Sequence, residues 1–278
     1  MKICIIPNEN KDINKENTKK AEKIMDELNI EYYETPLNSS NENYKYTDPT
    51  TFEENTDIVM IFGGDGTIID AATDLINTNL PIVGVNIGTL GFLAEIEMNS
   101  IREDLIKLKD KVYSVQNRMM LDIKINNHKY IALNDLAIRH TGMNNMIDVE
   151  LKVSNNKVTN YYGDGVVIST PTGSTAYNLS AGGPIIKPDA RLIAVTPICS
   201  HNLGLRSIIL NENDRLEFKI KKDKNNSTNI AELLIDGKIK TNLNENDIIQ
   251  VKKSNSFTKL IKLNNDSFFE ILNNKLRG

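Results

Sequence analysis

Apolar residues follow two different spacings along this chain, and the change falls near residue 112. Before it, unbroken apolar runs of strand length alternate with stretches of helical period. Lys2-Ile3-Cys4-Ile5-Ile6 reads as a buried strand. Residues 18–28 read as a helix, with Ala21, Ile24, Met25 and Leu28 on one face. Ile30-Glu31-Tyr32-Tyr33 is a second strand, and the polar residues 38–43 form an exposed loop. Ile58-Val59-Met60-Ile61-Phe62 is a third strand, followed by an apolar, alanine-containing helix over 68–76. Pro81-Ile82-Val83-Gly84-Val85-Asn86 is another strand, ending in a glycine turn at 88–91. Ser100-Ile101-Arg102-Glu103 has the form of a capping box, with Leu105, Ile106 and Leu108 on the helix behind it. Strand alternating with helix predicts a parallel, Rossmann-like α/β domain over about residues 1–115.

Beyond this the apolar residues alternate. Met120-Leu121-Asp122-Ile123-Lys124-Ile125 leads to a turn at Asn126-Asn127, and Ile147-Asp148-Val149-Glu150-Leu151-Lys152-Val153 to one at Asn155-Asn156. Leu216-Glu217-Phe218-Lys219-Ile220 leads to a polar tip at 221–229. Two more short strands are expected at 248–251 and 260–263, and a last helix at 268–276. The expectation is a mostly β second domain over 116–254, with no internal repeat of 20–50 residues.

The junction after the third strand carries the first candidate chemistry. Gly63-Gly64-Asp65-Gly66-Thr67 wraps three glycines around one aspartate, between a strand and a helix. Glycines let backbone N–H groups approach an anion, and a helix N-terminus adds a favourable dipole. Asp65 does not belong in a pure phosphate cradle, because a carboxylate repels phosphate. Its presence suggests a proton acceptor for a hydroxyl, or a metal ligand. A plain tight turn accounts for Asp-Gly equally well.

Composition narrows the classes. The chain has 278 residues, 40% hydrophobic and 25% charged, with a net charge of −4. That is the balance of a globular protein, and without a basic stripe it argues against a nucleic-acid partner. Cys4 and Cys199 are far apart, which argues against a disulfide framework or a zinc site. The chain opens on a strand pattern, without a signal-peptide core or a transmembrane run. The expected location is therefore the cytoplasm, where the sequon at Asn226 would be idle.

A second constellation lies between the β strands. Tyr161-Tyr162-Gly163-Asp164-Gly165 runs into Val166-Val167-Ile168-Ser169, then Thr170-Pro171-Thr172-Gly173-Ser174-Thr175-Ala176-Tyr177-Asn178-Leu179-Ser180-Ala181-Gly182-Gly183-Pro184. Small hydroxyl residues, glycine and one aromatic can hydrogen-bond a ligand closely and stack on a ring. A Ser/Thr-rich loop with local turns has the same composition. No Gly-x-Ser-x-Gly surrounds Ser174, no Walker loop occurs, and Ile69 stands where a third dinucleotide-fingerprint glycine would be.

Taken together, these blocks closely resemble the NAD kinase family. The resemblance rests on Gly63-Gly64-Asp65-Gly66-Thr67, on Leu133-Asn134-Asp135, and on Asp164-Gly165 through Thr170–Tyr177 to Gly182-Gly183-Pro184. The first block is shared with lipid kinases and phosphofructokinase-like enzymes of the superfamily; the third is far more specific. The resemblance implies a two-domain fold of the NAD kinase/diacylglycerol kinase type, with residues 255–278 packing back on the first domain. It implies transfer of a phosphoryl group from ATP, or polyphosphate, to the adenosine 2′-hydroxyl of NAD, with a divalent cation, usually Mg²⁺. It further implies a homodimer or homotetramer. By position, Asp65 would be the catalytic base and, with Gly66, a contact to NAD. Gly63, Gly64, Gly66 and Thr67 would form the phosphate loop. Asn134 and Asp135 would hold the dinucleotide, and Asp164, Thr175, Ala176, Tyr177, Asn178, Leu179 and Ser180 would line the adenosine pocket.

The residue chemistry agrees, since a sugar hydroxyl is a poor nucleophile until a positioned carboxylate accepts its proton. The chain departs from the family pattern at three places. Relatives carry Asn-Glu at Asn134-Asp135, Pro-His-Ser-Leu at Cys199-Ser200-His201-Asn202-Leu203, and often glutamine at Lys238. His201 reads as structural, and His128 and His140 as hairpin residues without a role. Two other readings remain: a dinucleotide-binding sensor without catalysis, and a lipid kinase. The first leaves Asp65 unexplained, and the second calls for an apolar acyl pocket rather than Thr172–Ser180.

Overall fold

The computed structural model describes all residues except 36–46, 89–90, 142–145, 203, 222–230, 264–267 and 277–278. The polar loop at 38–43 and the tip at 222–229 therefore lie outside the described residues. Two compact units are present: Met1–Arg118 with Thr258–Gly278, and Met119–Phe257.

In the first unit the elements are β1 (Lys2–Pro7), α1 (Glu16–Glu27), β2 (Glu31–Glu34), β3 (Ile58–Gly63), α2 (Asp65–Asp74), β4 (Ile82–Asn86), the two-residue β5 (Ile96–Glu97) and α3 (Ile101–Lys109). The strands lie in the order β2-β1-β3-β4, all parallel, with β5 beyond β4. β1 and β3 are buried almost throughout, as expected of strands covered on both faces. Ile3, Ile5, Met60, Phe62 and Val85 pack on Ala21 and Met25 of α1 and on Leu105 and Leu108 of α3. On α2, Ile68 reaches Gly84 of β4, where an added Cβ would stand 2.3 Å from its Cδ1.

One helix start differs from the sequence expectation. No capping box forms at Ser100; its hydroxyl is shared between the carboxylate of Asp104 (2.7 Å) and the more distant carbonyl of Glu97 (3.2 Å). At α1 the cap is Asp12, which accepts from the N–H groups of Asn17 and Thr18 and from the Thr18 hydroxyl. Burial alone would raise its carboxyl, but these contacts hold it below the usual range.

The second unit carries most of β6 (Ser114–Ile125), β7 (His128–Ala132), β8 (Asp135–His140), β9 (Ile147–Val153), β10 (Asn156–Gly163), β11 (Gly165–Ser169), the single-turn α4 (Tyr177–Ser180), β12 (Leu192–Ile198), β13 (Ile208–Asn211), β14 (Leu216–Ile220), β15 (Ala231–Ile235), β16 (Lys238–Leu243) and most of β17 (Ile248–Lys262). Six strands form an antiparallel sheet in the order β13-β12-β11-β8-β15-β16. Another antiparallel set runs β10-β9-β14-β17, with the β6–β7 hairpin joined to β17. Leu136, Ile138, Val166 and Ile168 from the first set share one core with Val149, Leu151 and Phe218 from the second. The unit is therefore a sandwich.

β17 is one strand of 15 residues where two short ones were expected. The β9–β10 turn falls one residue early: Ser154 and Asn155 have φ of 49° and 70°, and Val153 pairs with Asn156. Two positive φ values suit a two-residue hairpin, because such turns follow the right-handed strand twist. After β17 comes α5 (Phe268–Leu276), as the sequence predicts. No helix among the described residues is long and apolar enough to cross a membrane.

Candidate active site

In the first unit, Gly64 caps α2 in extended backbone and Asp65 begins the helix. Gly63 is required by packing, since a Cβ there would lie 2.5 Å from Oγ1 of Thr67. Gly66 has open space where a side chain would go. Thr67 is turned inward, accepting from the side-chain amide of Asn8 (2.8 Å). The loop after β1 thus lies against the glycine loop after β3, and Lys11 brings its Nζ within 3.2 Å of the Cβ position of Gly64. This is the carboxyl end of parallel strands, where open α/β sheets place their ligands.

The Asp65 carboxylate is not free in this arrangement. Its Oδ2 accepts from the N–H of Phe92 (2.6 Å), and its Oδ1 from those of Leu93 (3.1 Å) and Ala94 (3.4 Å). A carboxylate offers about four acceptor sites, so it retains room for a further partner. Phe92 is itself held, with the Phe268 ring at 6.4 Å and the Lys275 amine 4.2 Å above its centroid. Just beyond, Glu95 accepts from Leu263 N–H (2.9 Å) and pairs with Lys262. The end of β17 also pairs with β4, Leu260 beside Ile82. Of this loop the sequence marks only Gly91, as the end of a glycine turn; Phe92, Leu93 and Ala94 carry no signal, because what they donate is backbone N–H.

In the second unit, Asn134 is half-exposed and Asp135 is buried. Asp135 accepts from the backbone N–H of Tyr177, and burial, with the Asp236 carboxylate nearby, pushes it up to about 7. The loop from Thr172 to Ser180 curls as one 3-10 turn and α4. Asn178 is fully buried and serves as its brace. Its Nδ2 donates to the carbonyls of Ser174 (3.1 Å) and Pro184 (3.0 Å), and its Oδ1 accepts from Thr196 (2.7 Å). Thr175, Ala176 and Leu179 are half-buried and Ser180 is exposed. Tyr177 packs against Ala137, Val167, Ile198 and Leu234, with its hydroxyl interacting with Arg139.

Asp164 is half-exposed between β10 and β11. His140, expected to need no role, is brought beside it, Nε2 to Oδ1 at 3.8 Å. The Cys199 thiol also bonds to Asp164, which raises the thiol's pKa. His201 stays at the surface, its ring 6.0 Å from that of Tyr162. Among the described residues no three His, Cys, Asp or Glu side chains group as a metal site requires.

Comparison with known proteins gives this arrangement its family. The ATP-NAD kinase N-terminal domain model matches residues 5–113, and the C-terminal domain model residues 133–263. The chain is 41% identical to the NAD kinase of Lachnoclostridium phytofermentans, over 99% of this chain and 98% of that one. The chain belongs to the NAD kinase family. Another member, from Thermoanaerobacter sp., is 40% identical over the same shares. The NAD kinase of Clostridium botulinum is 38% identical over 79% of this chain and 78% of its own. The fold recurs in yeast NADH kinase complexed with NADH, with TM-score 0.82 and 22% identity over all of this chain and 87% of that one. It recurs also in an NAD kinase from Archaeoglobus fulgidus in complex with ATP, with TM-score 0.78 and 24% identity over 100% and 99%.

Proposed function

We infer that this protein is an NAD kinase, a phosphotransferase that uses ATP to phosphorylate NAD. The observation that carries the reading is identity of about two residues in five to NAD kinases along nearly the whole chain.

In the proposed chemistry, Asp65 accepts the proton of the adenosine 2′-hydroxyl as the new phosphorus–oxygen bond forms. Its three N–H partners would hold the carboxylate at one orientation, so the base need not be ordered by substrate. The open backbone at Gly66 and the start of α2 are assigned to phosphate, with Gly63, Gly64 and Thr67 shaping the loop. Asn134 and Asp164 are assigned to NAD, together with the exposed edge of the Thr175–Ser180 loop. Asp135 is assigned to that loop's backbone rather than to direct contact, since its carboxyl is buried against Tyr177 N–H.

A divalent cation, Mg²⁺ by expectation, would neutralise phosphate charge. The described residues build no cage for it, and its ligands would come largely from the phosphates and water. The cytoplasm and a homodimer or homotetramer complete the proposal. Incubation with NAD, ATP and Mg²⁺, followed by detection of NADP, tests it. No NADP above an enzyme-free control would leave the dinucleotide sensor as the better reading.

A further inference from the structure

One side chain holds the backbone around Asn134, and it comes from a hairpin about a hundred residues away. Asp236 and Gly237 form the β15–β16 turn, with φ of 48° and 75°. The Asp236 carboxylate accepts from three consecutive peptide N–H groups: Leu133 (3.0 Å), Asn134 (2.8 Å) and Asp135 (3.1 Å). Its own N–H returns a bond to the carbonyl of Asp135 (2.9 Å). The carbonyls of the same loop are held by Thr170: its N–H donates to Asn134 (2.8 Å) and its hydroxyl to Leu133 (2.7 Å). Gly173 closes against the loop so tightly that a Cβ would stand 2.2 Å from the Asn134 carbonyl oxygen. Backbone is thus fixed on all these sides, and the Asn134 side chain is left half-exposed.

We propose that Asp236 is a positioning residue for dinucleotide binding: it sets the Leu133–Asp135 backbone so that Asn134 is presented to NAD, without touching the ligand itself. The proposal rests on the NAD kinase reading and extends it to a residue outside the blocks that define the resemblance. A turn-forming role alone would not need an acid here. Asn-Gly suits a turn with two positive φ values at least as well as Asp-Gly. A carboxylate drawn even partly out of water is costly unless its acceptor sites are filled, and three converging N–H donors occupy those of the half-buried Asp236. A carboxamide cannot replace it, because its NH₂ would face at least one of those N–H groups, donor against donor.

Asp236→Asn therefore separates the two roles, keeping the turn and removing the cradle. The experiment measures kcat and both KM values, with thermal melts alongside. Expected is a rise of about 10- to 100-fold in KM for NAD, with KM for ATP changed less than about threefold. A folded variant with lower apparent kcat and an unchanged KM for NAD would mean lost active protein only, and overturns the proposal. Should the variant not fold, hydrogen exchange on the wild-type protein decides. Amides of Leu133, Asn134 and Asp135 protected before NAD is added support the positioning role. Amides that exchange freely until NAD orders them overturn it. Wild-type NADP formation, measured first, reports on the kinase reading separately, and the exchange measurement needs no turnover.

Discussion

Asp65 and Gly91 exclude one another's growth: a Cβ on Gly91 would stand 1.7 Å from Oδ1 of the Asp65 carboxylate. The glycine is where the loop 91–94 folds over the carboxylate and turns three N–H groups toward it. Gly91→Ala must move the acid or the loop. The expected outcome is a fall in kcat of about 10- to 100-fold with a melting temperature lowered by only a few degrees. Steady-state kinetics beside thermal melts check it; wild-type kcat would mean that the carboxylate's orientation does not matter.

Asp65→Asn keeps the size of the side chain and removes the proton acceptor. Its kcat should drop by about 10²- to 10⁴-fold while NAD still binds in calorimetry. The amide NH₂ would also oppose one of the backbone donors, so the loop 91–94 should exchange its amides faster. Near-normal turnover removes Asp65 from the role of base.

Asp135 is an acid whose pKa in the folded protein is raised to about 7 from 3.8. Between those values the folded state holds a proton that the unfolded chain has lost, so stability falls as pH rises. The contribution is complete below about pH 4 and gone above about pH 7. From pH 5 to 8 the wild type should lose about 2–3 kcal/mol relative to Asp135→Asn, which carries no titrating group there. Denaturant titrations of both proteins at the two pH values measure this; parallel pH dependence would refute it.

Asp164 stands half-exposed with His140 at 3.8 Å and the Cys199 thiol bonded to it. If its carboxylate accepts from NAD, Asp164→Ala raises KM for NAD more than it lowers kcat. A change confined to KM for ATP would move the residue to the donor site.

Tyr177 packs one side against Ala137, Val167, Ile198 and Leu234 and remains half-exposed on the other. An adenine stacked there would gain about 1–3 kcal/mol. Tyr177→Phe should bind NAD nearly as the wild type does, and Tyr177→Ala about 5- to 150-fold more weakly. Calorimetry with thermal melts separates the outcomes: a melted alanine variant marks the ring as core, and a stable one with normal affinity takes it out of the site.

By itself the sequence determined the local elements and the composition of the loops. Period 3.6 at Ala21 and Met25 and unbroken burial at Ile58–Gly63 are properties of neighbouring residues, and so is the glycine turn around Asp65. They are legible because helix, strand and turn each impose their own short-range spacing. Where two local signals competed, the expected one misled: Ser100 bonds Asp104 and Glu97, four and three residues away, instead of forming the capping box. Only the tertiary structure decided which groups restrain the candidate site. Phe92, Leu93 and Ala94 reach Asp65 through backbone N–H groups that every residue type carries, so no side-chain pattern could announce them. Asp236 reaches residues 133–135 because β15 pairs antiparallel with β8, Ile235 beside Leu136, which lays the hairpin tip over the start of β8. A register shift of one residue would turn that carboxylate away, and register belongs to the sheet rather than to either strand's own sequence.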